Sequence, residues 1–280
     1  MLKLRIITAL VLLAILLPVL YFGNPMAFAA IVAVFFGAAI WEAFRLFSPG
    51  SKQVIVIAAV WTAVFVYAFF IAPQARPQVW FAIGVLVWLL RLAPSLKIGL
   101  PPLASFGNTL LSVTYAVAIV ACFAAIVTLF HHSALYLLSV LVLVWIADIG
   151  AYFAGKTFGK RKLAPSISPG KSWEGAIGGA IAVLVLSSAA VLAVLSGSGA
   201  ALADTFPVHV QARFGWGSLV LVLLAISTLS VCGDLFESQL KRRAGVKDSS
   251  ALLPGHGGVL DRIDALVPVL PLAALIATWL

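Results

Sequence analysis

Between Asp234 and Asp264 the chain sets five acidic residues, Asp234, Glu237, Asp248, Asp261 and Asp264, among five basic ones, Lys241, Arg242, Arg243, Lys247 and Arg262. A glycine-rich turn, Pro254-Gly255-His256-Gly257-Gly258, lies between them. Carboxylates suit a hard divalent cation. Lysine and arginine suit phosphate oxygens. Paired glycines let backbone N–H groups approach an anion closely. Metal, phosphate and close backbone approach together describe a site for a nucleotide polyphosphate. If a helix runs from Cys232 to Arg243, then Asp234, Glu237, Ser238 and Lys241 fall at i, i+3, i+4 and i+7, a single face. Asp261 and Asp264 share a face in the same way. Two such faces meeting would hold one or two divalent ions.

One other stretch is comparably polar, Asp148 to Glu174. Asp148 and Tyr152 are four apart and share a helix face near the end of an apolar run. A carboxylate there is expensive and is by default a functional candidate. Gly170-Lys171-Ser172 imitates the end of a P-loop, but Pro165 stands where that motif needs glycine and no strand precedes it. The P-loop reading is rejected.

The elements that carry these segments are apolar. Hydrophobic residues make up 63% of the 280-residue chain and charged residues 10%, where a soluble domain has about a quarter charged. Nine runs read as spans: Ile6–Tyr21, Met26–Phe44, Val54–Ala72, Val79–Leu92, Thr109–Phe130, Leu135–Phe153, Ala176–Leu195, Trp216–Cys232 and Ile263–Leu280. They are continuously apolar rather than alternating, so helices are expected and not a barrel. The expected fold is therefore an all-α integral membrane protein. Lys3 and Arg5 before the first run resemble a signal peptide, but Ala27-Phe28-Ala29, the one cleavage-like site, falls inside the second run, so an uncleaved first span is expected. With nine spans and the N-terminus inside, only Arg76 and Arg213 of the 18 Lys and Arg residues fall outside. The positive-inside rule thus places both charged segments at the cytoplasmic face. The net charge of +9 then marks membrane orientation and an anionic substrate rather than nucleic acid. Cys122 and Cys232 sit in apolar runs and form no disulfide or zinc pattern. His131-His132 point in different directions on a helix, and Asp204, His209 and Arg213 show no recognisable spacing, so no metal site is expected there.

The order Ser238, Lys241-Arg242, Lys247-Asp248, Leu253-Pro254, His256-Gly257-Gly258, Asp261-Arg262, Asp264 resembles the signature of the phosphatidate cytidylyltransferases, the CDP-diacylglycerol synthases. A second block of that family resembles Ser166-x-Ser168-Pro169-x-Lys171-Ser172-x-Glu174-Gly175, with Asp148, Tyr152, Gly155 and Gly159. The resemblance covers Asp148 to Asp264. It divides the chain into an N-terminal membrane region, 1–133, and a catalytic region, 134–280. It implies a reaction of CTP with phosphatidate, a membrane lipid, to give CDP-diacylglycerol and pyrophosphate, in a bacterial inner membrane, with a homodimer as the family's assembly. It implies Mg²⁺, with room for a second cation, on Asp234 and Asp261, with Asp248, Asp264 and Asp148 as further ligands. Asp234, Lys241, Arg242, Lys247 and Asp261 are the implied catalytic groups. Ser168, Lys171, Ser172, Glu174, Ser238, His256, Gly257, Gly258 and Arg262 are the implied substrate contacts. The attacking lipid phosphate is already anionic, so no strong general base is needed, and His256 is read as a hydrogen-bond donor to phosphate. Two rivals stand: a CTP-dependent lipid kinase, attacking the γ-phosphorus, and a transporter of anionic solutes. The gathering of charge at one face disfavours the transporter, which places polar residues near mid-bilayer.

Overall fold

A computed structural model describes residues 10–11, 14, 17–19, 21–72 and 76–280. Among them seven helices are long and apolar enough to cross a membrane: α1 (Pro25–Phe47), α2 (Gln53–Ile71), α3 (Gln78–Ile98), α4 (Phe106–His132), α5 (Ala134–Phe158), α6 (Trp173–Leu195) and α7 (Phe206–Arg243). An eighth apolar helix, α8 (Leu266–Ala277), is shorter. The first expected span, Ile6–Tyr21, lies largely outside the described residues, as do Lys3 and Arg5.

Polar residues at the run boundaries start the helices. Asn24 accepts from Met26 N–H and Ala27 N–H ahead of α1, Ser105 from Asn108 N–H ahead of α4, and Ser133 from Tyr136 N–H ahead of α5. Ser172 does the same for α6 through Gly175 N–H at 3.1 Å. Each cap satisfies donors that a helix start leaves free. The fourth expected span, short in sequence, is continued in α3 through a π turn at Trp88–Leu92. The widening sits against Pro94, which has no N–H to give the preceding turn.

Two elements depart from the expected pattern. The segment after α5 is not all coil or helix: β1 (Lys162–Ala164) and β2 (Ser168–Ser172) form a two-stranded antiparallel ribbon. And α7 is far longer than the apolar run Trp216–Cys232. It kinks at Gly215, where φ is +80°. From there to Arg243 it extends roughly 40 Å, more than the ~30 Å of bilayer hydrocarbon. Its last turns carry Asp234, Glu237 and Lys241.

The core is arranged around α8. This helix packs against α3, α4 and α7, and Val267, Val269, Leu270 and Ala273 are wholly buried. Pro268 cannot donate to the carbonyl of Asp264 four residues earlier, and the hydrogen-bonded helix is interrupted at Asp264 and Ala265, which keep helical φ and ψ, between the single turn Leu260–Ile263 and α8. α7 passes that carbonyl through Gly233, where a Cβ would lie 2.3 Å from Asp264 O and 2.9 Å from Pro268 Cδ. α5 and α6 meet through glycines in the same manner, a Cβ on Gly179 falling 2.5 Å from Ala147 O. Small residues give close helix approach, a favoured packing mode in membranes. We expect Gly233→Ala to push α7 off α8 and to destabilise the fold by about 1–3 kcal/mol, read as a lower thermal midpoint in detergent. An unchanged midpoint would mean this contact is slack.

Candidate functional site

The side chains of both charged segments converge on one cavity. It has a volume of about 600 Å³ and lies between α5, α6 and the C-terminal half of α7, within the ~300–1,000 Å³ usual for ligand sites. Its charged rim is made by Asp148, Lys156, Lys171, Asp234, Lys241, Asp248, Asp261, Arg262 and Asp264. Below the rim the walls are small: Ala147, Gly179, Ala180, Ser227, Ser230. Ser227 lies seven residues before Asp234 on α7, so the cavity reaches roughly 10 Å beneath the charges. Ser230 is buried with no hydrogen-bond partner for its hydroxyl among the described residues.

Two charge clasps shape the rim. Lys171, at the end of the β ribbon, forms an ion pair with Asp234 on α7, and Ser238 Oγ donates to the other oxygen of Asp234 at 3.3 Å. Lys241 bridges Glu237, one turn back on the same helix, to Asp261 Oδ1 at 2.6 Å. The helical column Asp234, Glu237, Ser238, Lys241 is thus present. Asp148 and Asp264 line the same cavity, and carboxylate oxygens from three elements there are the hard donor set a divalent cation takes.

Asp261 is differently placed. Its Oδ2 accepts from Ser249 N–H at 2.9 Å and Gly258 N–H at 2.7 Å, and it shares the single Ser249 hydroxyl proton, at 2.9 Å, with Glu42. Only Oδ1, shared with Lys241, faces outward. Burial by itself would push the Asp261 carboxyl up. The hydrogen bonds it accepts, from Lys241 and Gly258 N–H among them, and the Lys241 charge reverse this and hold it at about 2. Because its folded pKa is depressed, the stability it lends is complete above its ordinary value near 4 and is lost as pH falls through about 2. At any working pH it is an anion.

Glu42 is the residue that sequence reasoning missed. It comes from α1, is wholly buried, and reaches the turn more than 200 residues away. Its Oε1 accepts from Ser250 Oγ and from Val259 N–H at 3.0 Å. Its Oε2 accepts from Ser249 Oγ at 3.1 Å and Leu260 N–H at 2.6 Å. A carboxylate at a helix start takes donors that would otherwise be orphaned. The two glycines are there to admit these anions. Gly257 has φ +86° and its Cβ would lie 2.7 Å from Asp261 Oδ2, while a Cβ on Gly258 would fall 2.4 Å from Glu42 Oε1. The anion this turn holds is thus the protein's own. Gly258 N–H, expected to face a substrate phosphate, is taken by Asp261.

The model of the cytidylyltransferase family matches residues 3–280. The chain belongs to the cytidylyltransferase family. It is 36% identical to the phosphatidate cytidylyltransferase of Haemophilus influenzae over 97% of this chain and 96% of that protein. With the phosphatidate cytidylyltransferase of Pseudomonas aeruginosa it shares 38% identity over 98% and 96%. A shorter match, to the phosphatidate cytidylyltransferase of Brucella suis, is 50% identical over 44% of this chain and 40% of that one.

Within this cytidylyltransferase chain the remaining sequence candidates are spread around the cavity. Ser172 lines it and also caps α6. Glu174 accepts from Lys160 N–H and Arg161 N–H, at 3.0 and 3.1 Å, and so fastens the turn that leads from α5 into the ribbon. Arg242 donates through Nε to Ile167 O at 3.4 Å, tying α7 to the ribbon. Ser168, Lys247 and His256 do not line the cavity. Lys247 is exposed, and His256 Nδ1 is buried with no partner among the described residues. The N-terminal helices brace the other side. Arg243 donates to Pro101 O at 2.9 Å and lies over the Phe47 ring, and Gln239 donates to Ser95 O at 3.3 Å.

Proposed function

We propose that the protein makes CDP-diacylglycerol and pyrophosphate from CTP and phosphatidate. One observation carries the reading within the family: five carboxylates, Asp148, Asp234, Asp248, Asp261 and Asp264, and four cations, Lys156, Lys171, Lys241 and Arg262, line one cavity with a small-walled extension beneath. The charged rim suits a triphosphate, and the extension suits the lipid phosphate and its glycerol. The lipid phosphate oxygen attacks the α-phosphorus of CTP, and the bond to pyrophosphate breaks. Mg²⁺, held by Asp234, Asp264 and Asp148 with Asp261 Oδ1 and Asp248 at its edge, would neutralise phosphate charge when bound. Lys171 and Lys241 grip phosphate oxygens and balance the charge that builds on the leaving pyrophosphate. Arg262 binds at the mouth, with Arg242 and Lys247 as the outer basic ring. The unpartnered Ser230 hydroxyl donates to a substrate oxygen at the cavity floor. Ser168, Ser172, Glu174, Ser238, His256 and the Gly257-Gly258 turn hold the ribbon, α6, Asp234 and the loop in place around the substrate. Catalysis rests on positioning and electrostatics, with no general base.

Region 134–280 carries these groups, and region 1–133 supports them and lends Glu42. Nine spans, an N-terminus in the cytoplasm, a site at the cytoplasmic face of a bacterial inner membrane, and a homodimer belong to the same reading. The test is purified protein with phosphatidate, Mg²⁺ and each nucleoside triphosphate in turn. CTP alone should give pyrophosphate. Release of CDP would make it a lipid kinase, and solute uptake without CTP consumption a transporter. Orientation has its own test. Ser166 is exposed on the ribbon loop, so a cysteine there, in a chain lacking Cys122 and Cys232, should react with an impermeant thiol reagent only from the cytoplasmic side. Reaction from outside would invert the topology.

A further inference from the structure

At the far ends of α4 and α5, away from the cavity, three side chains converge that sequence spacing did not connect. His132 ends α4, Asp204 lies in the connection from α6 to α7, and His209 is in the first turns of α7. His132 Nε2 is 2.9 Å and His209 Nε2 3.2 Å from the same oxygen, Asp204 Oδ1, and the three ligand atoms all lie within 4.8 Å of one another. We infer that His132, Asp204 and His209 form a Zn²⁺ site on the face opposite the catalytic cavity.

Four features support a bound ion over a hydrogen-bonded trio alone. First, the ligands of a tetrahedral Zn²⁺ with bonds of about 2.0–2.1 Å are roughly 3.3 Å apart, close to the two distances observed, so small side-chain rotations admit the ion. Second, Ser133 Oγ donates to the other oxygen, Asp204 Oδ2. This hydrogen bond orients the carboxylate and leaves Oδ1 for the metal, as outer partners do at zinc sites. Ser133 is itself fixed as the cap of α5. Third, both imidazoles rest on the buried ring of Tyr136, with centroids 4.3 Å away for His132 and 5.3 Å for His209, so little freedom remains to be lost on binding. Fourth, the side chains of His132, Asp204 and His209 are 48%, 42% and 33% exposed, which leaves an entry path and a fourth position for water.

The donor set selects the ion. Two imidazoles and one carboxylate suit Zn²⁺, whereas Mg²⁺ prefers oxygen ligands and keeps its waters. Ala147, the first cavity residue along α5, lies roughly 20 Å from this end of the helix. The ion therefore takes no part in phosphoryl transfer. It fastens the α6–α7 connection to the α4–α5 turn.

The test uses full-length, tag-free protein, stripped with chelator and returned to saturating Mg²⁺. Titration with Zn²⁺ against a chromogenic chelator should show one tight equivalent per chain. The His132→Ala, His209→Ala double variant should bind at least about 100-fold more weakly, and Asp234→Asn should keep the site, which separates it from the cavity carboxylates. Zn²⁺ should raise the thermal midpoint of the wild type and not of the double variant. Co²⁺ added to wild-type protein should give the strong visible bands of a four-coordinate nitrogen and oxygen site, a result independent of whether the variant folds. Equal Zn²⁺ binding by wild type and double variant, or a weak six-coordinate Co²⁺ spectrum, would reduce the cluster to hydrogen bonds.

Discussion

Glu42→Gln should cut CTP turnover about 100-fold and lower the thermal midpoint, although Glu42 does not line the cavity. Each of its oxygens accepts one serine hydroxyl and one backbone N–H. The hydroxyls of Ser249 and Ser250 can rotate and accept from an amide. The N–H groups of Val259 and Leu260 cannot. Whichever way the glutamine is placed, its NH₂ meets one of them, leaving a buried donor unpaired at a cost of about 1–3 kcal/mol. The turn that holds Asp261 and the start of the Leu260–Ile263 helix then loosens. If the loosened turn must re-form in the transition state, a cost of about 2.7 kcal/mol is a 100-fold loss of rate. The check is kcat from pyrophosphate release beside a melting curve. Wild-type turnover in Glu42→Gln would make Glu42 a bystander to the site.

Asp234→Asn should be more severe, with turnover down about 1000-fold and the melting point little changed. Asparagine keeps the shape and the hydrogen bond from Ser238, but removes the charge that pairs with Lys171 and that a divalent cation needs. Removing one charged contact at a transferring phosphoryl group costs roughly 3–4 kcal/mol. Lys171→Ala should fall about 30- to 1000-fold on the same scale. Because Lys171 and Asp234 are partners, the double variant should be little worse than the worse single one, as for residues that act as a unit. Lys52→Ala, exposed and outside both charged segments, should stay active. Ordinary turnover in Asp234→Asn at normal Mg²⁺ would strike Asp234 from the ligand set, and additive losses would separate it from Lys171.

What the sequence determined by itself is local. Continuous apolar runs made helices of a membrane protein, since a backbone in hydrocarbon must satisfy its own hydrogen bonds. The 3.6-residue period put Asp234, Glu237, Ser238 and Lys241 on one face of α7, and the two charged segments named the residues that rim the cavity. What only the tertiary structure decided is pairing across distance. Glu42 sits in an apolar run 217 residues from Val259, and no periodicity points from one to the other. The donors of the Gly257-Gly258 turn looked free in sequence, yet a buried carboxylate from α1 and another from Asp261 claim the N–H groups of Gly258, Val259 and Leu260. Adjacency made His131-His132 look unpromising, because the partners of His132 arrive from residues 204 and 209 once α7 folds back beside α4 and α5. The apolar length of the last run shows only that it is a membrane helix. Its place as the buried α8, with the close approach of Gly233 that Pro268 leaves open, follows from three-dimensional packing, because burial against neighbours rather than composition fixes where an apolar helix lies.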